Sequence, residues 1–579
     1  MYIEHITSPA DIKPMGMDKL EILCDEIRQA ILTKLSKFGG HVGPNLGVVE
    51  LTVAMHYVFN SPVDQIVFDV SHQSYTHKML TGRYHSFMDG TISGYTNQYE
   101  SPHDHFIIGH TSTAASLACG LAKARDILKQ NHYVIAIIGD GALSGGEAFE
   151  GLDNIAEQGS QLIVVINDND TSIAENHGGL YKNLKELRET KGQASTNYFK
   201  SLGLDYHYVD DGNDLEQMIT AFQVVKTATR PIVLHVHTKK GKGYAPAESD
   251  EEDFHWHIPF DIATGLSQPS SHKSYSELTG EYLLNKITEH SELVIVNAAT
   301  PGVIGFDPEQ RKQAGKQFVD VGIAEEHAVA FCSAIASKGA KPILAIYSTF
   351  MQRTYDQLSH DLCLNDNPAV ILVFEGGVHG INDATHLGFF DIALTINIPN
   401  MVYLAPTGRH EYFNMLDWAI NQSSHPTIIR VPSTKVQDYL ETLELDYHHP
   451  NRYQVTQQGD TVAIIAAGTF YSLGQKVSDQ LKTQGITPTL INPRFLSGID
   501  EKLLTDLTKN HQLVITLEDG IVSGGFGEKI AGFYGPTTMK TINFGLPKAY
   551  PDRYHVGEYM KSIGLTPEQI VDKINKTLK

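Results

Sequence analysis

Two short polar turns, each directly after an apolar run, carry the clearest chemical signal in the sequence. Asp140 lies in a Gly-Asp-Gly turn after the run Tyr133–Ile138, and Asn169 lies in an Asn-Asp-Asn turn after the run Leu162–Ile166. If both runs are neighbouring parallel strands, a carboxylate and an amide oxygen meet at the edge where α/β sheets bind ligands. Hard oxygen ligands suit Mg²⁺, which usually shares its coordination shell with phosphates. A Gly-Asp-Gly turn alone is common, so it is the paired arrangement that predicts a magnesium and diphosphate site.

Glu325 is the second candidate, and the sequence allows two interpretations of it. The spacing of the two polar turns resembles the diphosphate motif of thiamine diphosphate enzymes, in which a buried carboxylate must hydrogen-bond the aminopyrimidine ring of the cofactor. Glu325 follows an apolar strand in a later part of the chain and could supply that carboxylate from a second sheet. Alternatively, Glu325 only stabilises the start of the next helix, where acidic residues are favoured.

The elements that must position these residues follow an α/β pattern. Short apolar runs rich in Val and Ile alternate with helical patterns and predict buried parallel strands. Further runs of this kind are Ile232–Val236, Leu293–Val296, Ala369–Val373 and Leu513–Thr516. Linkers at about residues 264–274 and 433–460 divide the chain into three predicted domains, 1–265, 275–435 and 455–579.

Composition limits the functional classes. The chain has 579 residues, of which 41% are hydrophobic and 19% charged, as expected for a globular protein of several domains. A formal charge of -22 argues against nucleic acid or anionic membranes as partners, and it requires a local basic site for any phosphorylated ligand. Four separated cysteines, no apolar leader and no long apolar run predict a soluble, cytoplasmic protein without disulfides or a zinc site.

The motifs together resemble the 1-deoxy-D-xylulose-5-phosphate synthases, a family of the transketolase-like group, over nearly the whole chain. The matching segments, in the same order as in the family, are Gly39–Gly47, Phe68–Lys78, Gly109–Thr113, Gly139–Ala142, Asn167–Ser172, Lys239–Tyr244, Ala324–His327, Tyr347–Arg353, Glu518 and Gly524–Gly527. The resemblance implies two parallel-sheet domains of the thiamine diphosphate fold, one for the diphosphate with Mg²⁺ and one for the aminopyrimidine. It also implies a smaller carboxy-terminal α/β domain without catalytic residues, and a homodimer.

The resemblance further implies a role for individual residues. The Mg²⁺ ligands would be Asp140, Asn169 and the carbonyl of Thr171. The residues lining the cofactor would be His72, Gly109, His110, Thr111, Gly141, Ala142, Asn169, Tyr244 and Phe350, with Glu325 activating the aminopyrimidine. Proton transfer near neutral pH would involve His41, His255 and His386. Substrates would contact Tyr347, Arg353, Asn382 and Asp383. The family decarboxylates pyruvate and adds the remaining two-carbon unit to glyceraldehyde 3-phosphate.

The chain departs from the family pattern on the side of the aldehyde acceptor. Where the family has two arginines for the acceptor phosphate, this chain has Glu375 and Ser433. Asn382 stands where the family has an aspartate, although the next residue is an aspartate. Losing two charged hydrogen bonds would weaken phosphate binding by roughly a thousandfold or more. We expect Arg353 or Arg430 to be the residues that could compensate in part.

Four hypotheses follow. The first is a synthase that uses glyceraldehyde 3-phosphate, and the second is a paralogue that uses an unphosphorylated or cationic aldehyde, which Glu375 favours. The third is a transketolase proper, which is less favoured because the segments Asp69–Lys78 and Tyr347–Arg353 resemble the synthases more closely than the transketolases. A non-catalytic homologue that only binds the cofactor would be expected to have lost one of the residues Asp140, Asn169 and Glu325, all of which are present.

Overall fold

A computed structural model describes residues 1–268, 272–439, 447 and 449–579. The chain forms two compact units. The first comprises Met1–Ser270 together with Gly322–Ala324, and the second comprises Ser271–Val321 together with Glu325–Lys579.

The first unit is built on a five-stranded parallel sheet with the strand order β1-β2-β3-β5-β4. Its strands are β1 Gln65–Phe68, β2 Val134–Gly139, β3 Ile163–Asp168, β4 Asp205–Val209 and β5 Ile232–His237. Its helices are α1 Met17–Phe38, α2 Gly43–Leu46, α3 Val49–Val58, α4 Tyr75–Lys78, α5 Tyr84–Met88, α6 Ala114–Ile127, α7 Gly146–Gln158, α8 Gly179–Glu189, α9 Tyr198–Ser201, α10 Leu215–Lys226 and α11 Ala245–Ser249.

Both faces of this sheet are buried, which explains why its strands are continuous apolar runs. In β2, Ile135 and Ile137 pack into one core, whereas Val134, Ala136 and Ile138 pack into another. Because side chains alternate along a strand, a strand covered on both faces needs apolar residues at every position. β2 accordingly has no polar side chain along its length, and Asp140 follows where the strand ends, at the sheet edge.

The second unit contains two sheets. The first has six parallel strands in the order β10-β11-β9-β8-β6-β7. Its strands are β6 Leu293–Asn297, β7 Phe318–Asp320, β8 Lys341–Tyr347, β9 Val370–Phe374, β10 Val402–Leu404 and β11 Thr427–Arg430. The associated helices are α12 Tyr275–Glu289, α13 Pro308–Ala314, α14 Glu325–Ala336, α15 Asp391–Thr395 and α16 Arg409–Asn421.

The other sheet of the second unit has the order β12-β14-β13-β15-β16, in which only the β12–β14 pair is antiparallel. Its strands are β12 Gln454–Gln457, β13 Thr461–Ala466, β14 Thr489–Asn492, β15 His511–Ile521 and β16 Lys540–Leu546. Its helices are α17 Tyr471–Thr483, α18 Glu501–Leu507, α19 Phe526–Tyr534, α20 Val556–Ser562 and α21 Pro567–Leu578.

The predicted α/β class with three sheets is confirmed, and all six predicted strands are present. Only β15 is much longer than predicted. The apolar run on which the prediction rested ends before the buried acids Glu518 and Asp519, but the strand continues through them. The two predicted linkers include positions outside the described residues. Within the described ranges, no helix is long and apolar enough to cross a membrane.

Candidate active site

The predicted metal ligands lie at the carboxyl edge of the first sheet. Gly139 at the end of β2 pairs with Asn167 in β3, and the Asp140 amide donates to the Asn167 carbonyl at 3.0 Å. The hydroxyl of Thr171 lies 3.2 Å from Oδ1 of Asn169. The parallel register of β2 and β3 thus brings both polar turns to one place, as the sequence predicted.

Two buried aspartates at this edge, Asp140 and Asp168, have pKa values that are shifted in opposite directions. Burial, reinforced by the nearby Asp168, raises the pKa of Asp140 well above its ordinary value. Burial also acts on Asp168, but hydrogen bonds from His235 at 2.8 Å and from Arg188 at 2.6 Å lower its pKa. Asp140 accepts a hydrogen bond from Asn176 at 2.7 Å but forms no ion pair among the described residues. Asp140 is therefore the aspartate whose charge a bound cation would compensate.

Lys240 supplies the local positive charge that the acidic chain needs for a phosphorylated ligand. Its ammonium is buried and donates to the Ser172 carbonyl at 2.7 Å and to the Thr171 hydroxyl at 3.3 Å. Burial lowers the pKa of Lys240 to about 8, against the opposing pull of Glu251 and Asp140. An anionic ligand at this edge would restore the full charge of Lys240, so the site suits a diphosphate.

Three histidines from distant parts of the first unit form one cluster. The ring centroids of His41 and His72 are 4.9 Å apart, and those of His72 and His255 are 5.3 Å apart. Asn45 holds two of them, because its side-chain amide donates to the carbonyls of His41 and His72, both at 2.8 Å.

Two histidines of the cluster, His72 and His255, are neutral at physiological pH. Burial and the charge of Lys240 lower the pKa of His72 to about 3, and the same causes lower the pKa of His255 well below its ordinary value. Nδ1 of His255 lies 3.1 Å from the Ser172 carbonyl, which can only accept, so Nε2 is left as the basic nitrogen. Nδ1 of His72 is buried and has no hydrogen-bond partner in the described structure, as expected for a nitrogen that faces a ligand.

The glycine turn Gly109–Thr113, which contains the predicted cofactor residues His110 and Thr111, is fixed by Asp69. The Asp69 carboxylate, directly after β1, accepts from the amides of Ser112 at 2.7 Å and Ala114 at 2.9 Å. The Ser112 hydroxyl in turn donates to the Ala142 carbonyl at 2.8 Å. This contact joins the turn to Gly141 and Ala142, so these predicted cofactor residues lie together.

Tyr244 is the predicted cofactor residue that the structure places differently. Its ring is buried in the core against Phe254 and Phe260, and its hydroxyl donates to the Ile262 carbonyl at 3.0 Å. The aromatic packing explains this position without a ligand.

In the second unit, Glu325 is the first residue of α14 and is almost fully buried, with 3% of its surface exposed. Burial raises its pKa, although Arg353 at 3.7 Å opposes the shift. Oε2 of Glu325 accepts no hydrogen bond from the described residues. The carboxylate also interacts with the Glu325 backbone amide, as a helix-capping side chain does, so capping and ligand binding are compatible. Oε2, which faces Arg353, is the oxygen left to accept a hydrogen bond from a ligand.

Three predicted rings lie next to one another at the carboxyl ends of the strands in this unit. Tyr347 ends β8, and its ring centroid is 5.7 Å from that of Phe350 in the following 3₁₀ turn. Phe350 is in turn 5.8 Å from His386. Nδ1 of His386 is 2.7 Å from the Thr385 hydroxyl, which orients the imidazole.

The two acceptor-side departures lie beside these rings. Glu375 directly follows β9, whose last residue Phe374 pairs with Tyr347. Burial raises the pKa of Glu375, and burial together with the Glu375 charge raises the pKa of Tyr347 to about 12. The Ser433 hydroxyl donates to the Gly376 carbonyl at 2.7 Å, next to Glu375.

Arg430, one of the two arginines expected to be able to compensate on the acceptor side, is engaged by other partners. Its guanidinium is buried and donates to Asp391 at 2.7 and 3.1 Å and to the Asp519 carbonyl at 2.7 Å. These partners commit Arg430 to holding the fold together, because breaking a buried ion pair is strongly unfavourable. Arg353, which contacts Glu325, is the remaining candidate of the two.

The other predicted substrate residues lie on the loop after β9. Asn382 is exposed, and its amide donates to the Tyr554 carbonyl at 3.0 Å. Asp383 accepts from the amide and hydroxyl of Thr385 at 2.9 and 2.6 Å, and burial raises its pKa. Both side chains thus have structural partners within the loop or its surroundings.

Sequence reasoning missed Lys240, Asn45 and Asp69. The motif Lys239–Tyr244 contains three lysines, and only burial distinguishes Lys240 from Lys239, which forms an exposed ion pair with Glu248. Asn45 and Asp69 act through backbone groups that no spacing rule identifies.

Three family models match the chain in order. The model described as 1-deoxy-D-xylulose-5-phosphate synthase matches residues 3–197, the transketolase pyrimidine binding domain matches residues 272–437, and the transketolase C-terminal domain matches residues 451–570. The 1-deoxy-D-xylulose-5-phosphate synthase of Caldanaerobacter subterraneus subsp. tengcongensis is 37% identical, covering 100% of this chain and 99% of its own. That of Listeria monocytogenes serotype 4b is 38% identical, covering 99% and 97%. Among solved structures, a transketolase from Campylobacter jejuni is 15% identical with a TM-score of 0.45, covering 97% and 100%.

Because the pKa of Asp140 is raised and that of Asp168 is lowered, replacing each by asparagine should change the free energy of unfolding in opposite directions. We expect Asp140→Asn to raise the free energy of unfolding without ligands by about 1 kcal/mol at neutral pH. The sign follows from the raised pKa of Asp140, since ionisation of that group opposes folding once the pH exceeds its unfolded value. The same variant should lose any stabilisation by Mg²⁺ with thiamine diphosphate, measured as a shift in Tm.

Asp168→Asn is the matched control, because it weakens the ion pair with Arg188 and the contact with His235. We expect it to lower the free energy of unfolding by about 3 kcal/mol in denaturant titrations. If Asp140→Asn is equally destabilising, Asp140 is a structural residue and the metal site proposed for it is wrong.

Proposed function

The chain belongs to the 1-deoxy-D-xylulose-5-phosphate synthase family, and on this premise we propose that it decarboxylates pyruvate and adds the two-carbon unit to glyceraldehyde 3-phosphate. Membership of the family makes the protein a thiamine diphosphate-dependent transferase. Dependence on Mg²⁺, the two substrates and a homodimeric state are parts of the proposal. So is the assignment of residues 1–265 to the diphosphate, 275–435 to the aminopyrimidine and 455–579 to the carboxy-terminal domain.

The observation that carries the proposal is the buried carboxylate of Glu325. Its raised pKa, and an Oε2 that accepts no hydrogen bond from the described residues, are features expected of a group that shares a hydrogen bond with a ring nitrogen of a ligand. Phe350, on the same side of the strand ends, offers an aromatic face for a flat ring. When bound, thiamine diphosphate supplies the electron sink for decarboxylation of a 2-oxo acid.

The remaining residues bind ions and move protons. Asp140, Asn169 and the Thr171 carbonyl would hold Mg²⁺, and Lys240 would neutralise the diphosphate. His72 and His255 are neutral, and together with the adjacent His41 they can orient a substrate carboxylate through hydrogen bonds and accept a proton transiently. His386, which Thr385 orients, would transfer a proton to the aldehyde oxygen.

The first experiment measures CO₂ release from pyruvate by the purified protein with Mg²⁺ and thiamine diphosphate, with and without glyceraldehyde 3-phosphate. We expect release that the acceptor stimulates, and a product with the mass of a deoxyxylulose phosphate. Omitting Mg²⁺ in the presence of a chelator is the control for the metal. Release that ignores this acceptor would contradict its assignment, and no release would contradict pyruvate as donor.

Glu325→Gln tests the carrying observation. We expect turnover to fall by roughly 10² to 10⁴-fold, because the amide cannot exchange a proton with the cofactor ring. Binding of thiamine diphosphate, measured by calorimetry, should remain within about threefold of wild type, since a single hydrogen bond contributes little net affinity. Glu326→Gln, next in the same helix, is the matched control and should retain turnover. Full turnover in the Glu325 variant would exclude the proposed role.

A second candidate function rests on Glu375. This partly buried carboxylate has no cationic partner among the described residues, and Arg430 is engaged by Asp391 and Asp519. A desolvated carboxylate repels a phosphate dianion but accepts hydrogen bonds from hydroxyl or ammonium groups. The acceptor would then be an unphosphorylated hydroxyaldehyde or a cationic aldehyde, used with the same cofactor machinery.

Glu375→Arg distinguishes the two candidates. We expect the ratio of kcat/KM for glyceraldehyde 3-phosphate over D-glyceraldehyde to rise by about tenfold or more, because a guanidinium binds phosphate through charged hydrogen bonds. Glu375→Gln removes the negative charge without adding a cation, so its ratio should lie between those of the wild type and the arginine variant. An unchanged ratio in both variants would mean that Glu375 does not face the acceptor.

A further inference from the structure

The loop Glu375–Gly388, hereafter the 375–388 loop, connects β9 to the segment before α15. It begins with Glu375 and contains His386 near its end, so it carries two groups of the candidate site. The two ends of the loop are joined, since the Gly377 amide donates to the Gly388 carbonyl at 2.6 Å. The position of the loop therefore sets the position of both groups.

The loop is held by residues of the carboxy-terminal sheet region through its backbone. The Val378 amide donates to the Asp519 carboxylate at 2.8 Å, and the Tyr554 hydroxyl donates to the Val378 carbonyl at 3.1 Å. Further along, the Ala384 amide donates to Asp552 at 3.1 Å. The backbone amide of Arg553, which lies between Asp552 and Tyr554 in the sequence, donates to the Asn382 carbonyl at 2.7 Å.

Apolar side chains fix the loop to the same region. Val378, Leu387 and Phe389 are buried in a core otherwise formed mainly by β13, β15 and the carboxy-terminal helices. The backbone of the loop also lies very close to Asp519 at Gly377. Gly377 has φ +85°, and a Cβ there would lie 2.1 Å from the Asp519 carboxylate. Removing these contacts would free the middle of the loop from the carboxy-terminal sheet region.

The position of the loop matters because His386 acts through distance and angle. Its ring centroid lies 5.8 Å from that of Phe350, and Thr385, a neighbour in the loop, fixes its Nδ1. A shift of about 1 Å in a group that transfers protons can reduce turnover substantially. Groups that hold the loop thus act on the reaction without touching a substrate.

We propose that Asp519, Asp552 and Tyr554 are positioning residues, which hold the 375–388 loop and thereby place His386 and Glu375 at the acceptor side of the site. This inference rests on the proposed function. It assigns to the carboxy-terminal domain, expected from the resemblance to lack catalytic residues, a direct part in organising the site. The domain contributes no reacting group and acts through the backbone of the loop.

Tyr554→Phe removes one hydroxyl and keeps the ring packed against Phe389 and Tyr559. We expect peptides covering residues 375–388 to exchange amide hydrogen about threefold faster or more. In the same variant kcat for carboligation should fall roughly tenfold, with KM for pyruvate within about twofold of wild type. Tyr559→Phe is the matched control, because its ring lies beside Tyr554 and its hydroxyl has no hydrogen-bond partner in the described structure.

A second pair of variants separates positioning from general loss of packing. Asp552→Ala removes the acceptor of the Ala384 amide, whereas Asp552→Asn keeps an oxygen at that place. We expect the alanine variant to show faster loop exchange and lower kcat, and the asparagine variant to restore both. Circular dichroism and Tm of all four variants check that the fold is retained.

Each outcome decides the proposal. Faster loop exchange together with lower kcat in Tyr554→Phe and Asp552→Ala, but not in Tyr559→Phe, supports it. Unchanged exchange would show that these residues do not hold the loop, and faster exchange with unchanged kcat would show that loop position does not affect the reaction. If the wild type lacks turnover, the proposed function fails, whereas the exchange measurements still decide whether the loop is held.

Discussion

Buried carboxylates in this protein differ in how closely a cation accompanies them, and the candidate residues of both units include acids that lack a close ion pair. Asp168 is paired with Arg188 and His235, and Asp391 is paired with Arg430. Burial raises the pKa of Asp140, Glu325 and Glu375, and the only cation within ion-pair distance in the described structure is Arg353, 3.7 Å from Glu325. Keeping such groups in a folded protein has a free-energy cost that a bound cation or hydrogen-bond donor relieves. Burial without a close ion pair therefore favours a ligand contact at Asp140, Glu325 and Glu375, whereas the paired Asp168 and Asp391 stabilise the scaffold.

In this scaffold, parallel strands buried on both faces are mainly apolar, and polar residues collect where the strands end. Asp69, Asp140 and Asn169 follow three neighbouring strands of the first sheet. In the second unit's larger sheet, Tyr347 ends β8, and Glu375 and Ser433 come after the neighbouring strands β9 and β11. The register of each strand pair fixes the spacing of the groups that follow it. Within each unit, residues that are far apart in the sequence are thus brought together by strand pairing and do not depend on the conformation of a long loop.

This arrangement also explains how much could be predicted from the sequence. The strands were predictable because burial on both faces leaves uninterrupted apolar runs, and Asp140 and Asn169 were predictable because they end two of them. The Tyr244 ring was expected at the cofactor but packs in the core, since an aromatic residue in a glycine-rich motif serves either purpose. Lys240 could not be chosen among three lysines, because its burial results from packing against Thr171 and Ser172. Arg430 was misjudged for a similar reason, as its partners Asp391 and Asp519 are distant in sequence.

The candidate cofactor residues of the first unit and the acceptor-side residues of the second unit differ in what holds them. Asp140 and Asn169 lie directly at strand ends, where a change of position would require a change of register. His386 lies on a loop whose amides and apolar side chains are held by another sheet, and Glu375 and Ser433 flank the start of that loop. Substitution at such positions alters the charge seen by an acceptor and leaves strand packing intact. Residues such as Glu375 and Ser433 can therefore differ between related proteins while Asp140 and Asn169 keep their places at the strand ends.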